Sequence, residues 1–355
     1  LELASSRPAA LAMHQTFVRP LEAEEVGITP QLPSPPRLEW LELVKFWKSD
    51  KAGPVWFLAD VMRSDLALID PVSRRDATDF QWPLVARPAF GGMRPSAARW
   101  HRMPVPGWFA EEGWSLTPET AGIAGLRGHL PHLKPIVAQV RRRDGATRLL
   151  IGGRNLAGAN DPAAHFTVSI DGTPIGEWDA APGFFLKELE LPAGRLAGPG
   201  TWATLTVAST PNQVPTAIEQ FDIQDFQSTI WGYGEGWQEA EYNTTLGVWR
   251  WTSERATLRI AGPPRALRVT LVLESPLRYF DAPAQVRARA GERELAVATI
   301  GDAGEWAFDV PADALAATGA ITIETDKTFV PADRDGSADR RRLGLRVFAI
   351  RVGMR

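Results

Sequence analysis

Cysteine is absent from the 355 residues. That excludes disulfides, thiolate metal sites and a cysteine nucleophile, without fixing the cellular compartment. No apolar run reaches the roughly 18 residues that a membrane-spanning helix needs. An excess of either charge is also missing, since 39 Lys and Arg face 42 Asp and Glu for a formal net charge of −3. A dedicated nucleic-acid binder should be markedly basic, so no nucleic-acid partner is expected. The chain contains no Gly-x-Ser-x-Gly elbow, Walker loop, dinucleotide fingerprint or His-Glu-x-x-His pair. Those gaps remove the commonest serine hydrolases, nucleotide enzymes and metalloproteases. The chain starts at Leu1 with no visible signal peptide, which points to a fragment of something longer.

What remains is 44% hydrophobic and 23% charged, the balance of a chain that buries a core. Gly and Pro, 31 and 29 residues, point to many turns, and 14 Trp against 3 Tyr point to aromatic cores or stacking surfaces. Residues 29–37 read as a stiff Pro-rich linker. Leu38–Lys48 follows with apolar residues at helical spacing, an amphipathic helix expected to dock on the protein's own core. Val55–Ala59 and Leu66–Ile69 read as short strands, and the stretch from there to Pro106 as largely irregular.

Beyond residue 113 the pattern is strongly β, with short strands between turns at the spacing of a sandwich or jelly roll. Asp144-Gly145 and Asp171-Gly172 are expected to close two hairpins. The two halves look like copies: Leu191-Pro192-Ala193 matches Val310-Pro311-Ala312 at an offset of 119 positions, which also carries Gly172 to Gly291 and Gly200 to Gly319. Nearby offsets bring Gly113-Trp114 to Gly236-Trp237 and Arg148–Asn155 to Arg268–Ser275. A repeat of this length is a duplicated domain, not a solenoid unit of about 20–50 residues. The expected fold is therefore all-β: two tandem antiparallel β-sandwiches at 106–228 and 229–355, after a mixed Pro-rich segment at 1–105.

The second copy opens with Gly236-Trp237-Gln238-Glu239-Ala240-Glu241-Tyr242 and continues to Trp249-Arg250-Trp251. Flat aromatic faces with carboxylate and Arg partners are what a sugar ring and its hydroxyls require. Candidate contacts are Trp237, Glu239, Tyr242, Trp249, Trp251 and Arg340. Trp249 and Trp251, two apart on a strand, share one face, and that face is either core or ligand surface. Glu239, Glu241, Glu274 and Asp339 are candidates for a glycoside-hydrolase carboxylate pair, with no spacing that selects two of them. Asp333, Asp335 and Asp339 around Gly336 suit Ca²⁺, but the distal EF-hand Glu is missing and Arg334, Arg340, Arg341 and Arg342 oppose a cation. An Asp–Arg network bracing that loop is the favoured reading, and no cofactor is expected. His129 and His132 have metal-like spacing without a third ligand.

Gly236-Trp237 with Glu239 or Glu241, then Trp249-Arg250-Trp251, then Phe329-Val330-Pro331, Asp339-Arg340-Arg341 and Leu343-Gly344-Leu345 make a combination. It resembles the extracytoplasmic β-domain of bacterial membrane glycosyltransferases and polysaccharide-assembly proteins. The resemblance covers about residues 230–352 and extends weakly over 113–228. It implies a jelly-roll module facing glycan or glycan-lipid, periplasmic or outside the membrane and non-catalytic by itself. It also implies a tether to a longer membrane parent. A glycoside hydrolase and a structural spacer are the two alternatives.

Overall fold

Strand after strand buries every second residue. Ala164–Ile170 and Ala284–Ala290 both hide their first, third, fifth and seventh side chains, the period-two pattern that pleated backbone imposes when one face meets a core. The structure, a computed structural model, describes residues 55–60, 69–75, 78–82, 98–103, 106–110, 135–210, 216–243, 247–316 and 318–355. Leu38–Lys48, His129 and His132 lie outside them. The chain divides into two compact units, residues 1–147, 154–183 and 190–223 in one and 148–153, 184–189 and 224–355 in the other.

Near the N-terminus β1 (Val55–Asp60), β2 (Thr78–Trp82) and β3 (Ala98–Met103) form a small antiparallel sheet in the order β1-β3-β2, with a short helix α1 (Pro71–Arg74) between β1 and β2. The strand at 55 is as expected; β2, β3 and α1 replace the irregular stretch. Asp70 caps α1 by accepting from the Val72 amide at 2.8 Å, and its second oxygen accepts from the Gly107 amide at 2.8 Å. Ile69 bridges to Phe109.

The first strand set comprises β4 (Trp108–Ala110), β5 (Ile136–Arg141), β6 (Thr147–Asn155), β7 (Ala164–Ile170), β8 (Thr173–Ala180), β9 (Gly183–Leu191), β10 (Trp202–Thr210) and β11 (Thr216–Asp225). They pair as β4-β5-β10-β7-β8 and β11-β6-β9. The second set comprises β12 (Ile230–Tyr233), β13 (Trp237–Asn243), β14 (Gly247–Thr252), β15 (Arg255–Ala261), β16 (Leu267–Glu274), β17 (Ala284–Ala290), β18 (Arg293–Ile300), β19 (Gly304–Val310), β20 (Ala320–Thr325) and β21 (Arg346–Met354). These pair as β12-β15-β20-β17-β18 and β13-β14-β21-β16-β19. Substituting each strand of the first set by its later counterpart reproduces the second set's order, with the β13–β14 hairpin added at one edge. The fold is all-β and antiparallel, with the duplication written into its strand order.

Seven of the eight equivalent strands begin 118 to 122 residues apart; β11 and β21 begin 130 apart. The jump has a simple origin: five residues join β10 to β11, but twenty join β20 to β21. That longer connection carries a short helix α2 (Pro331–Asp335). Equivalent ion pairs recur as well. Arg148 on β6 meets Glu188 on β9 at 3.0 Å, and Arg268 on β16 meets Asp309 on β19 at 3.0 Å. Six residues further along these strands the polarity reverses: Arg154 of β6 pairs with Glu219 of β11 at 2.9 Å, whereas Glu274 of β16 pairs with Arg346 of β21.

Asp171-Gly172 closes the β7–β8 hairpin as expected, both residues at positive φ (47° and 78°) as a two-residue primed turn requires. Asp144-Gly145 does not close a hairpin. β5 pairs with β4 and β10, while β6 lies in the other sheet, so residues 142–146 carry the chain from one layer to the next.

Between the second set's sheets lies a core of Leu258, Val269, Leu271, Leu273, Val286, Ala288, Trp306, Phe308, Ile321, Ile323 and Val347, among others. Residues from both sheets meet there, so the sheets stack face to face as a sandwich. A separate aromatic cluster of Trp249, Trp251, Phe329 and Leu343, flanked by Tyr279, Phe280 and Phe348, forms a second apolar centre.

Candidate functional site

The hairpin β13–β14 is the origin of the site. Trp237 stands opposite Thr252 and Ala240 opposite Arg250, so Gln238 and Glu239 together oppose the single residue Trp251. This β-bulge shifts the side-chain alternation by one. Trp237 and Ala240 both turn into the sandwich, and Glu239 and Glu241 both emerge on the other face. Without the bulge, Trp237 and both glutamates would share one face. Gly236, with φ +83°, starts the strand where a Cβ would lie 1.8 Å from the Arg255 carbonyl oxygen.

Opposite Glu241 in the ladder stands Trp249, with Trp251 two residues on and pointing the same way. Both indoles donate Nε1–H to one carboxylate oxygen, Glu241 Oε2, at 3.1 Å each. The two tryptophans are 8% and 4% exposed. Phe329 covers Trp251 edge-on at 5.6 Å and is itself stacked on Tyr279 at 4.0 Å. The Arg346 guanidinium lies 5.5 and 5.6 Å from the Trp249 and Trp251 rings and is ion-paired with Glu274. A cation against aromatic faces is favoured by their quadrupoles.

The connection from β20 to β21 supplies the other half. Phe329 and Leu343 exchange two backbone hydrogen bonds of 2.8 Å, closing residues 329–343 into a loop pinned at its base. α2 starts with Pro331 at its first turn and ends at Gly336, φ +70°. The Ala332 amide donates to the Asp339 carbonyl at 2.8 Å, tying α2 to the returning half of the loop. Gly344 then donates to Thr252 O at 2.7 Å, anchoring the loop to β14. That approach needs glycine: a Cβ there would meet Thr325 Cγ2 at 2.8 Å and Ser253 O at 3.0 Å.

At the loop's edge Arg341 gathers three carboxylates. Its Nη1 donates to Glu239 Oε2 at 3.1 Å, and Nη2 donates to Glu241 Oε1 at 2.8 Å and Asp339 Oδ2 at 2.6 Å. Nε donates to both Asp339 oxygens, at 3.0 and 3.1 Å, and the Arg341 amide donates to Asp339 Oδ1 at 2.9 Å. All four side chains remain 27–32% exposed. The hydrogen bonds from Arg341 hold the Asp339 carboxyl below the usual carboxylate range, against a smaller opposing effect of burial. In return, Asp339 first and Glu241 and Glu239 after it push the guanidinium's pKa further upward. The result is a rigid array of fixed charges on a floor of indole rings, open on one side to water.

The expected contact residues divide accordingly. Trp237 is a correction: 2% exposed, it packs in the sandwich core and donates Nε1–H to Thr257 O at 2.9 Å, so it presents no face to a ligand. Trp249 and Trp251 share the expected face but are sealed beneath Phe329 and Leu343, serving as the floor that orients Glu241 and not as open stacking platforms. Glu239, Glu241 and Asp339 are brought together. Glu274 is drawn off to Arg346. Arg340 is exposed, and Arg341 instead binds the carboxylates. Tyr242 stands opposite Val248 in the ladder, its side chain outside the described residues. Asp333 is exposed on α2, the Asp335 side chain lies outside the described residues, and Asp339 turns both oxygens to Arg341. The Asp–Arg bracing of this loop is thus present as Asp339–Arg341. Arg341 and Arg346 were missed as site residues, although Asp339-x-Arg341 has the two-residue spacing that places both side chains on one side of an extended chain.

No family model and no curated protein matches the sequence. Among solved structures, the chain is similar to the tandem CBM22-1–CBM22-2 domain of Paenibacillus barcinonensis Xyn10C, at 10% identity and TM-score 0.22, covering 70% of this chain and 94% of that one. It is also similar to Saccharomyces cerevisiae allantoicase (11% identity, TM-score 0.23, covering 89% and 97%). A third is the Bacteroides ovatus mixed-linkage glucan protein SGBP-B in complex with a heptasaccharide (9% identity, TM-score 0.18, covering 85% and 71%). Superpositions this loose carry no functional argument, which rests on the site itself.

Proposed function

We propose that the chain is a carbohydrate-binding, glycan-positioning protein that binds its ligand at the Glu239–Glu241–Asp339–Arg341 array of the second sandwich without chemical turnover. One observation carries the reading: three carboxylates and a guanidinium are locked in mutual hydrogen bonds yet each stays about a third exposed. Charge-assisted hydrogen bonds are the strong ones for fixing sugar hydroxyls, and an array already ordered before binding loses little side-chain entropy on contact. Partly buried Tyr279, Phe280 and Phe348 add apolar area around the indole floor. We place this activity on the outer side of a bacterial membrane, next to the glycosyltransferase or polysaccharide-assembly machinery whose β-domain the sequence resembles, with glycan or glycan-lipid as the partner.

A glycosidase is the second reading, favoured by the carboxylates drawn together. Glycoside hydrolysis requires one carboxyl to stay protonated as general acid. Asp339 is held in the opposite, ionised state, and Glu241 accepts hydrogen bonds from both indoles and from Arg341. Calorimetry of the full chain against glycan-array hits, beside a chromogenic glycoside panel, separates the readings. Saturable binding that falls by about tenfold or more in Arg341→Ala, without turnover, is the expected result. Turnover abolished by Glu241→Gln establishes the hydrolase instead, and binding indifferent to Arg341→Ala removes the proposed site.

A further inference from the structure

We infer that the array selects its sugar by hydrogen-bond polarity: it takes neutral or amino-bearing glycans and rejects uronic acids and sulfated sugars. The inference deepens the binding function proposed above and rests on it.

The argument follows from where the N–H groups point. All three guanidinium nitrogens of Arg341 are engaged with Glu239, Glu241 and Asp339. Both indole N–H groups of the floor are aimed at Glu241 Oε2. Arg346, buried behind the array, is ion-paired with Glu274 among the rings. Of the flanking arginines, Arg342 faces Glu254 at 3.9 Å, and Arg340 is exposed outside the network. The donors of the array itself are therefore turned inward, and within it three partly exposed carboxylates stand against one guanidinium, with Arg334, Arg340 and Arg342 exposed on the loop around it.

Carboxylates accept hydrogen bonds and donate none when ionised. Asp339 in particular is held ionised by Arg341. A sugar hydroxyl satisfies such a surface by donating, and an ammonium does so with added charge attraction. A uronate or sulfate oxygen brings acceptors and negative charge against acceptors of the same charge. Its desolvation is then left without a partner, the discrimination that sites rich in buried polar groups exert most strongly. Within the array, a bound uronate would find a bidentate partner only if Arg341 released its carboxylates, and that guanidinium already has five hydrogen bonds to them.

The test uses the full chain and three matched oligosaccharides in calorimetry: a neutral hexose oligomer, its C6-oxidised uronate form and its 2-amino form. Against the wild type, the neutral and amino forms are expected to bind and the uronate form to bind about tenfold more weakly or worse, the scale of one lost hydrogen bond to a charged group. Glu239→Gln keeps the shape of the array but exchanges one carboxylate oxygen for an amide donor. It should narrow the gap between neutral and uronate forms, with thermal melting confirming that the variant is folded. Equal or tighter binding of the uronate form overturns the selectivity while leaving glycan binding in place, and so does an unchanged gap in Glu239→Gln. If none of the three binds, and no other member of a neutral and anionic array does, glycan binding itself fails and the selectivity with it.

Discussion

Replacing Gly236 by Ala should damage the second sandwich far more than the same change at Gly291, although both glycines sit at positive φ, +83° and +57°. The shared part of the penalty is the left-handed conformation, about 1–2 kcal/mol for a residue with a Cβ. The difference is space. At Gly291 the nearest atom to a new Cβ is a methyl, Thr318 Cγ2, at an ordinary 3.5 Å. At Gly236 the Cβ would meet the Arg255 carbonyl oxygen at 1.8 Å, its carbon at 2.8 Å and Ala256 Cα at 2.9 Å, all backbone, so no side-chain rotation relieves the overlap. The strand start must move, and with it the bonds from the Ser253 amide and hydroxyl to Gly236 O, at 2.7 and 2.8 Å. Overpacking of this kind costs about 3 kcal/mol, and two weakened hydrogen bonds add about 1 kcal/mol each. The total, about 5 kcal/mol or more, is comparable to the whole stability of many domains. Thermal unfolding followed by circular dichroism should show Gly291→Ala melting a few degrees below wild type, and Gly236→Ala roughly 10 °C or more lower still. Equal melting temperatures for the two variants would refute the steric reasoning and release β13 from the place assigned to it.

Two further outcomes follow from the same geometry. Trp237→Phe removes the bond to Thr257 O and part of the core volume, so unfolding by urea should show a loss of about 2 kcal/mol, with glycan affinity of the folded protein unchanged; a selective loss of affinity would return Trp237 to the ligand surface. Asp339 has a folded-state pKa below the ordinary 3.8, so its pairing contributes stability above pH 3.8 that disappears as pH falls through the depressed value. Wild type should therefore be more stable than Asp339→Asn at neutral pH and converge on it in acid, and a stability gap that does not shrink below pH 3.8 contradicts the pairing.

Much of the architecture was legible because duplication leaves marks that period-two alternation alone does not. Residues 148–155 and 268–275 align with strands β6 and β16, and the Asp171-Gly172 turn sits where its chemistry places it. Asp144-Gly145 misled, because the same dipeptide serves a crossing between layers when the flanking strands find other partners. At the site, the shared face of Trp249 and Trp251 could be read from spacing, but its occupancy could not. Phe329 and Leu343 lie about 80 or more residues further along the chain, and only tertiary packing brings them over the indoles. The bulge at Gln238 and Glu239 is equally silent in sequence, and it alone decides that Trp237 parts from Glu239. Arg340, expected at the site, and Arg341, found there, differ by one position, and one residue along an extended chain reverses the direction of the side chain.

A chain that carries one strand order twice risks recruiting the wrong twin while it folds, as tandem repeats do when segments swap between neighbours. The inverted couples described above oppose such an exchange. Were β6 to align beside β21, Arg154 would confront Arg346, and β16 beside β11 would set Glu274 against Glu219; both mistakes juxtapose like charges in poorly hydrated surroundings. Correct partnering alone neutralises all four. Transplanting one polarity onto the other half (Arg154→Glu with Glu219→Arg) keeps an ion pair in each half and leaves Arg346 on its indoles, yet abolishes this proofreading, so refolding yield after dilution from denaturant should drop by more than any change in the melting temperature of correctly folded molecules explains. An undiminished yield would show that the inversion guards nothing.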